Sequence, residues 1–454
     1  MRRSLGVLLT VALISLPTLV SHGHPHWLLC FVHPHDGRCG TDSAPPADAA
    51  IASTTTHHAP THYQRRSRGA PLEADRLVAA VDAGIHPPAF IRADCRADVT
   101  AALVAWIRTV PDNSTISFPS KACYQIEGSV WVKNRHNLTF EGNGATFRAK
   151  TSGYGTTPPK SDLVNWFWQW PQDRIHWSIE GGSGITLRNM VIRGPEPRLD
   201  LPYLYYPQFE GQYGVSVFGS HGTVLDHLTI NDVFGDSIGV WGGATNTIIQ
   251  NCHLERSGRN GISITNARWV TVKNSYVGWN GTANIDVEPD VPEQPAEHIY
   301  ILHNEFGNSQ ELFFADGNAS PLVGDIRIIG NRLHREFEIV ASALPGTYSS
   351  HYVILNNVSD APCWCTTAPA FRFNGIKDVR MEGNYSRWCP CSDHSWAVSL
   401  IDSHGVQVAH NAFPGVHTVL TTDFDPSQPP SSTDYAESDN RIDANAPIPR
   451  PVPV

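Results

Sequence analysis

Asn246-Thr-Ile-Ile-Gln-Asn251, Arg268-Trp-Val-Thr-Val-Lys-Asn274 and His298-Ile-Tyr-Ile-Leu-His-Asn304 share one pattern: an apolar-alternating stretch that ends on Asn. The same pattern places Asn at 143, 189, 331, 357, 384 and 411, with His227 in the equivalent place of Thr223-Val-Leu-Asp-His227. From 227 onward the intervals are 24, 23, 30, 27, 26, 27 and 27 residues. Self-similarity at a period in this range is the signature of a solenoid. Each Asn follows a strand at a turn, where a short amide tolerates left-handed backbone geometry and bonds its own chain. Stacked one coil apart, such side chains are positioned to bond one another.

A second strand falls in each coil: Gly214-Val-Ser-Val-Phe218, Ser237-Ile-Gly-Val-Trp241, Gly261-Ile-Ser-Ile-Thr265, Asn284-Ile-Asp-Val-Glu288, Glu311-Leu-Phe-Phe-Ala315 and Ala370-Phe-Arg-Phe-Asn374. Alternation puts Val215, Ile238, Ile262, Ile285, Leu312 and Phe371 in one inward column. The reading is an all-β, right-handed parallel β-helix of roughly ten coils, about 48 Å long at the interstrand spacing. A leucine-rich repeat is excluded because its Leu-x-x-Leu-x-Leu frame is absent. Ala, Leu, Val and Trp at helical spacing between Asp98 and Arg108 predict a short helix capping the first coil, with Asp98 or Thr100 as N-cap and Pro111 ending it.

The remaining organisation follows from composition. Arg2, Arg3 and the apolar run Leu5 to Val20 read as an export signal over 1–23, or as an uncleaved anchor. A His- and Cys-rich segment covers 24–40, an Ala/Pro/Ser/Thr/His linker 41–91, the β-helix 92–425 and a Pro-rich tail without structure 426–454. The histidines His22, His24, His26, His33 and His35 are either transition-metal ligands or part of an unstructured polar segment. No later stretch is apolar for long enough to cross a bilayer, so a secreted monomer is expected. The formal charge of −10 argues against nucleic acid as the main partner.

Cysteine spacing agrees with export. Cys363-Trp-Cys365 and Cys389-Pro-Cys391 are offset by one coil period, which pairs Cys363 with Cys389 and Cys365 with Cys391, unless the four thiolates hold zinc. Cys95 with Cys123 would tie the cap helix to the first strand, and Cys30 with Cys39 would close a small loop. Of the nine cysteines, Cys252 is left as a buried thiol.

The outward face of the second strand carries groups that folding does not need. One column reads Ser216, Gly239, Ser263, Asp286, Phe313, Glu338 and Arg372; the next reads Phe218, Trp241, Thr265, Glu288, Ala315 and Asn374. Asp286 and Glu288 share a face about 6.5–7 Å apart. This suits the acid and base of an inverting glycosidase. The rival readings are a calcium site bracing the loop from Asp290 to Glu297, and a solvated acidic edge. Asp236 and Glu311 stand at the starts of their strands. Trp166, Trp168, Trp170 and Trp177 fall in one inserted loop, and Tyr203, Tyr205, Tyr206 and Phe209 in the next. Such rings either stack on sugars or bury themselves against the solenoid.

Asp98-Val-Thr-Ala-Ala, Ile116-Ser-Phe-Pro, Cys123-Tyr-Gln-Ile and Phe140-Glu-Gly-Asn-Gly-Ala-Thr together resemble the N-terminal entry of the pectate lyase-like superfamily, over about residues 92–420. Gly235-Asp-Ser-Ile-Gly-Val-Trp241 followed by Gly258-Arg-Asn-Gly-Ile-Ser-Ile264 is similar to the polygalacturonase family of glycoside hydrolases. That resemblance implies a general-acid role for Asp236. The sequence departs from the family at Ser237 (its second aspartate), Asn260 (its histidine) and Tyr213 (a further aspartate). The expected function is therefore hydrolysis of an extracellular or cell-wall polysaccharide. Asp236, Asp286, Glu288 and Glu311 are the candidate catalytic acids, and Tyr213, Trp241, Arg259, Asn260, Trp279 and Arg372 the candidate substrate contacts. No cofactor is required for that chemistry. The alternatives are a calcium-dependent polysaccharide lyase with Arg259 or Arg372 as base, and a non-catalytic wall-binding solenoid.

Overall fold

The computed structural model describes residues 84–153, 174–196, 209–289, 295–309, 311–317, 323–334, 339–343, 348–359, 370–387, 396–422, 431–443 and 445–453, all within the compact unit Val78–Val454. They form a right-handed parallel β-helix of about ten turns. Eleven strands from Val130–Lys133 to Thr418–Thr422 build one sheet in strict chain order. The other strands build a second sheet that bends at the Asn corner into two faces.

One inward column of the first sheet runs Val215, Ile238, Ile262, Ile285, Phe313, Ile339 and Phe371. Each of these side chains is buried, and complete burial of one such chain is worth about 1.5–3 kcal/mol. Phe313, not Leu312, holds its place in the column. Leu312-Phe-Phe314 is apolar at three successive positions, so alternation alone does not fix its phase, and a one-residue slip reverses every side chain. The expected outward positions move accordingly. Phe314 and Val340 take the places given to Phe313 and Glu338, and Ala315 turns inward in register with Val287.

The Asn series resolves into two. Asn189, His227, Asn251, Asn274, His303, Gly330, Asn356, Gly383 and His410 adopt left-handed φ values of 51–67° and turn the chain. The next residue in each coil points inside. From Asn304 that inner position is Asn, and a ladder runs Asn304, Asn331, Asn357, Asn384, Asn411 and Asn440, with Nδ2 to Oδ1 distances of 2.9–3.1 Å. Asn357 uses its whole amide. Its Nδ2 donates to Asn384 and to the Ile328 carbonyl, and its Oδ1 accepts the backbone N–H and the Nδ2 of Asn331. In earlier coils the inner position is Leu228, Cys252 and Ser275, where hydroxyl and thiol replace the amide.

The cap helix spans Thr100–Ile107. Val99 is its N-cap residue, while Asp98 Oδ1 accepts the Thr100 N–H from one position earlier. Thr100 Oγ1 in turn accepts the N–H groups of Glu127 and Gly128 and locks the helix to the first coil. Below it, Trp177 is fully buried, its ring edge-on to Phe118, Phe140 and Phe147. Trp177 is therefore core, not a loop aromatic. Cys95–Cys123 forms a disulfide with Cα atoms 5.0 Å apart, and Cys252 is a buried free thiol. Cys30, Cys39, Cys363, Cys365, Cys389 and Cys391 lie outside the described residues, as do the export signal and the His-rich segment.

The tail expected to lack structure carries a strand. Thr433–Ser438 pairs in parallel with His404–Ala409. Beyond it, Val452 returns to Asn356 through two reciprocal hydrogen bonds of 2.9 and 2.8 Å. Proline content hid this: the residues that pair are Thr-Asp-Tyr-Ala-Glu-Ser, and the prolines lie on either side of them.

Candidate active site

Successive coils place Asp236 and Arg259–Asn260 at the entry to the eleven-stranded sheet, and the next coil places Asp286 on its strand, in register with Ser263. Parallel register puts Ser216, Gly239, Ser263 and Asp286 in one outward column. Trp241 and Thr265 are in register in the next column. Glu288 continues it, because its N–H donates to the Ile264 carbonyl.

Arg259 is the hub. Its Nε lies 3.0 Å from Glu210, Nη1 3.0 Å from Asp236, and Nη2 3.6 Å from Asp286 and 3.7 Å from Glu288. Four carboxylates thus share one guanidinium. Burial by itself lowers the affinity of Arg259 for its proton, but Asp236, Asp286 and Glu210 more than reverse this and hold its pKa well above the ordinary value. Asp286 and Glu288 approach the same Nη2 atom, so the two contacted oxygens can be no further apart than the sum of those distances.

Asp236 is sealed from solvent. Burial raises its pKa, and the opposing pulls of Arg259, the Ser263 hydroxyl and the Asn260 N–H do not cancel that rise. Its carboxylate accepts from Ser263 Oγ at 2.6 Å and from the Asn260 N–H at 2.9 Å. Asn260 Nδ2 then donates to Asp286 at 2.7 Å, and its Oδ1 accepts from Thr282 Oγ1 and the Ala283 N–H. Asp236 thereby fixes the Arg and Asn that face Asp286, but presents no carboxyl surface of its own. Asp286 is 5% exposed and Glu288 has 44% of its side chain exposed.

Tyr213 is buried over the strip, with its ring 3.1 Å from where a Cβ at Gly239 would lie. Any larger residue at 239 would displace that ring. Trp241 donates its Nε1–H to Ser216 at 2.7 Å and packs at a steep angle on Phe218, ring centroids 4.6 Å apart. The remaining candidates lie apart. Trp279 is exposed at the preceding corner with φ 58° and bonds Tyr276. Arg372 is in register with Val340 and Ser399, three strands beyond Asp286, or about 14 Å. The backbone of Glu311 is in register with Ala283, and its side chain lies outside the described residues. Phe209 packs on Phe234 with centroids 4.5 Å apart. Trp166, Trp168, Trp170, Tyr203, Tyr205, Tyr206, Asp290 and Glu338 are also outside the described residues.

Sequence reasoning missed Glu210 and Ser263 as members of the site. Glu210 reaches Arg259 from an inserted loop, which no strand period locates. Ser263 read as one small residue in an outward column, although its position beside Asp286 was a usable signal. Among the described residues, no group of three or more His, Cys, Asp or Glu side chains is arranged to hold a metal, and no helix is long and apolar enough to cross a membrane.

Comparison with known proteins agrees with the architecture. The family described as right handed beta helix region matches residues 175–358. Over 188 residues the chain is 33% identical to the uncharacterized protein YclG of Bacillus subtilis, which covers 37% of this chain and 30% of YclG. The chain thus matches under a third of that relative's length. Among solved structures, it is similar to PfbA, a surface adhesin of Streptococcus pneumoniae (TM-score 0.53, 14% identity, 79% of this chain and 91% of PfbA). It is also similar to a family 28 exopolygalacturonase of Yersinia enterocolitica (TM-score 0.50, 11% identity, 78% of this chain and 77% of the enzyme). At these identities the likeness is one of fold.

Proposed function

We propose that the protein is an extracellular glycoside hydrolase acting on a polysaccharide, with Asp286 and Glu288 as its acid–base pair. The observation that carries this reading is the convergence of four carboxylates on the single guanidinium of Arg259. One cation cannot neutralise four acids, and like charges this close favour retention of a proton within the group. A protonated carboxyl beside an ionised one is what cleavage of a glycosidic bond requires. Asp286 and Glu288 alternate on one strand face at about 6.5–7 Å, a spacing that admits a water and favours inversion. Asp236 is a positioning residue in this scheme, since a sealed carboxyl cannot touch a sugar.

The lyase reading is weaker on the same geometry. A base must give up its proton, and the acids around Arg259 tighten its hold. Arg372 is too distant from Asp286 to serve the same bond. A non-catalytic binding role keeps support from the missing histidine at Asn260 and from the burial of Asp236.

The test is to incubate the full chain with plant, fungal and bacterial wall polysaccharides and to measure new reducing ends and the ultraviolet absorbance of unsaturated products. Reducing ends without absorbance are expected. Glu288→Gln and Asp286→Asn should each lower the rate by about 10²–10⁴-fold, with circular dichroism unchanged. Cleavage that survives both substitutions would remove this site from consideration, and an absorbing product would assign the lyase.

A further inference from the structure

The two outward columns that end at Asp286 and Glu288 begin beneath the cap helix. Register links Trp131, Ser178, Ser216, Gly239, Ser263 and Asp286 in one column. Lys133, Glu180, Phe218, Trp241 and Thr265 form the other. Five strand spacings separate the ends, or about 24 Å. At the far end the cap helix and the first strand enclose a cavity of about 430 Å³, lined in part by Ala101, Val104, Arg108, Trp131, Lys133 and Arg135. Its size is that of a small-ligand site.

The charge of this cavity is opposite to that of the protein. Three cations line it and no acid does, on a chain whose formal charge is −10. Arg135 is committed to the fold: its guanidinium bonds Asp112 and the carbonyls of Ile107 and Val110, closing the C-terminal end of the helix. Lys133 pairs with Glu180 at 3.1 Å but keeps 65% of its side chain exposed, so that pair is weak and its cation available. Arg108 is exposed and has no partner among the described residues. Trp131 is half-buried, and its indole N–H is enclosed without an acceptor. Between the two ends stand Phe218, 40% exposed, and Trp241.

We infer that this cavity binds an acidic sugar of a saccharide chain laid along the exposed column from Lys133 past Phe218 and Trp241, since Ser178, Ser216, Gly239 and Ser263 of the other column are buried. Arg108 and Lys133 would receive its carboxylate, and Trp131 would stand against its ring. A planar guanidinium matches a carboxylate, and the apolar wall from Ala101 and Val104 suits the C–H face of a pyranose. The inference rests on the reading of the protein as saccharide-active, and it assigns the substrate an anionic residue about 24 Å from the bond that is cut.

The experiment is direct binding of an oligogalacturonate, a sulfated oligosaccharide and a neutral cello-oligosaccharide to the full chain by calorimetry, with Arg108→Ala, Lys133→Ala and Arg108→Lys variants. Arg108 is the exposed C-cap residue, and its backbone bonds do not depend on its side chain. The oligogalacturonate should bind, each alanine variant should weaken it about tenfold or more, and Arg108→Lys should restore part of the loss. In a Glu288→Gln background, which removes cleavage, Arg108→Ala and Lys133→Ala should weaken binding by the same factor as in the unaltered chain, so failure here and failure of the hydrolase reading are separate results. Preference for the sulfated probe would replace the carboxylate with a sulfate. Binding of the neutral probe with equal strength, insensitivity to both alanine variants, or absence of acidic-probe binding would overturn the inference.

Discussion

Between Asn304 and Asn440 the solenoid buries its amides in one continuous ladder, whereas between Asp236 and Glu288 the buried polar groups gather at the opposite corner and hold charge. In the first region each amide from Asn304 to Asn411 donates to its counterpart one coil away and to a backbone carbonyl, and Asn440 ends the series on the Val408 carbonyl. In the second, Ser257, Asn280, Asn284 and Ser309 bond across the turns, and beside them Asn260 and Ser263 hold Asp236 and Asp286. The ladder position there has become Leu228, Cys252 and Ser275. A repeat can thus spend the same residue type on register or on a site, and the two uses meet in one coil, where Asn284 and Asp286 precede the first ladder residue, Asn304. Fully satisfied buried networks rigidify, whereas charged ones depend on every partner being present.

That contrast can be broken most forcefully at Arg259. Arg259→Met should destabilise the protein at pH 7 by about 3–5 kcal/mol, because it strands buried carboxylates without a counter-charge. The pH dependence has a definite sign. Asp236 binds its proton more tightly in the folded chain than in the unfolded chain, and more tightly still without Arg259. The variant should therefore regain stability as the pH falls from neutral through the raised folded value toward about 3.8, the unfolded one. Urea denaturation at several pH values measures this, and a pH-independent loss would mean that the charges are not what Arg259 holds.

The ladder should respond without that pH dependence. Asn357→Leu leaves the neighbouring amides of Asn331 and Asn384 each missing a partner, and should cost about 2–4 kcal/mol at any pH between 5 and 8. Equal loss at pH 5 and pH 8 sharpens the distinction, and a pH-dependent loss erases it. The smallest effect is expected at Cys252, where the ladder has already lapsed. Cys252→Ala should cost about 1 kcal/mol. Burial pushes its thiol up to about 12, so a thiol reagent should label Cys252 only after unfolding.

Much of the scaffold was legible because a strand period of two and a coil period near 27 leave direct traces in sequence. What misled was adjacency. The turn Asn and the ladder Asn occupy neighbouring positions, and the interval of 30 between Asn274 and Asn304 contains the step from one series to the other. Leu312 misled for the opposite reason, since a uniformly apolar run carries no phase. The site was legible where its residues lie on a strand or within two residues of one, as with Asp286, Glu288 and Asn260. Glu210 was not, because a loop residue reaches its partner by a path that no repeat specifies. Nor could the sequence show that Asp236 is closed off. A carboxylate at a strand entry reads alike whether the next turn covers it or leaves it open.

The return of Val452 to Asn356 alters how the solenoid comes apart. Coils that touch only their neighbours should peel away singly from an exposed end, each at small cost. Here the final described strand is followed by a proline-containing segment that reaches back 96 residues in sequence, where the Val452 N–H and carbonyl each bond the side-chain amide of Asn356. Val452 also packs beside Gly383 on the intervening coil. The last coils are laced together, so the C-terminal end should release as a block. A single proteolytic cut before Val452 would convert that stepwise threshold into a gradual fray.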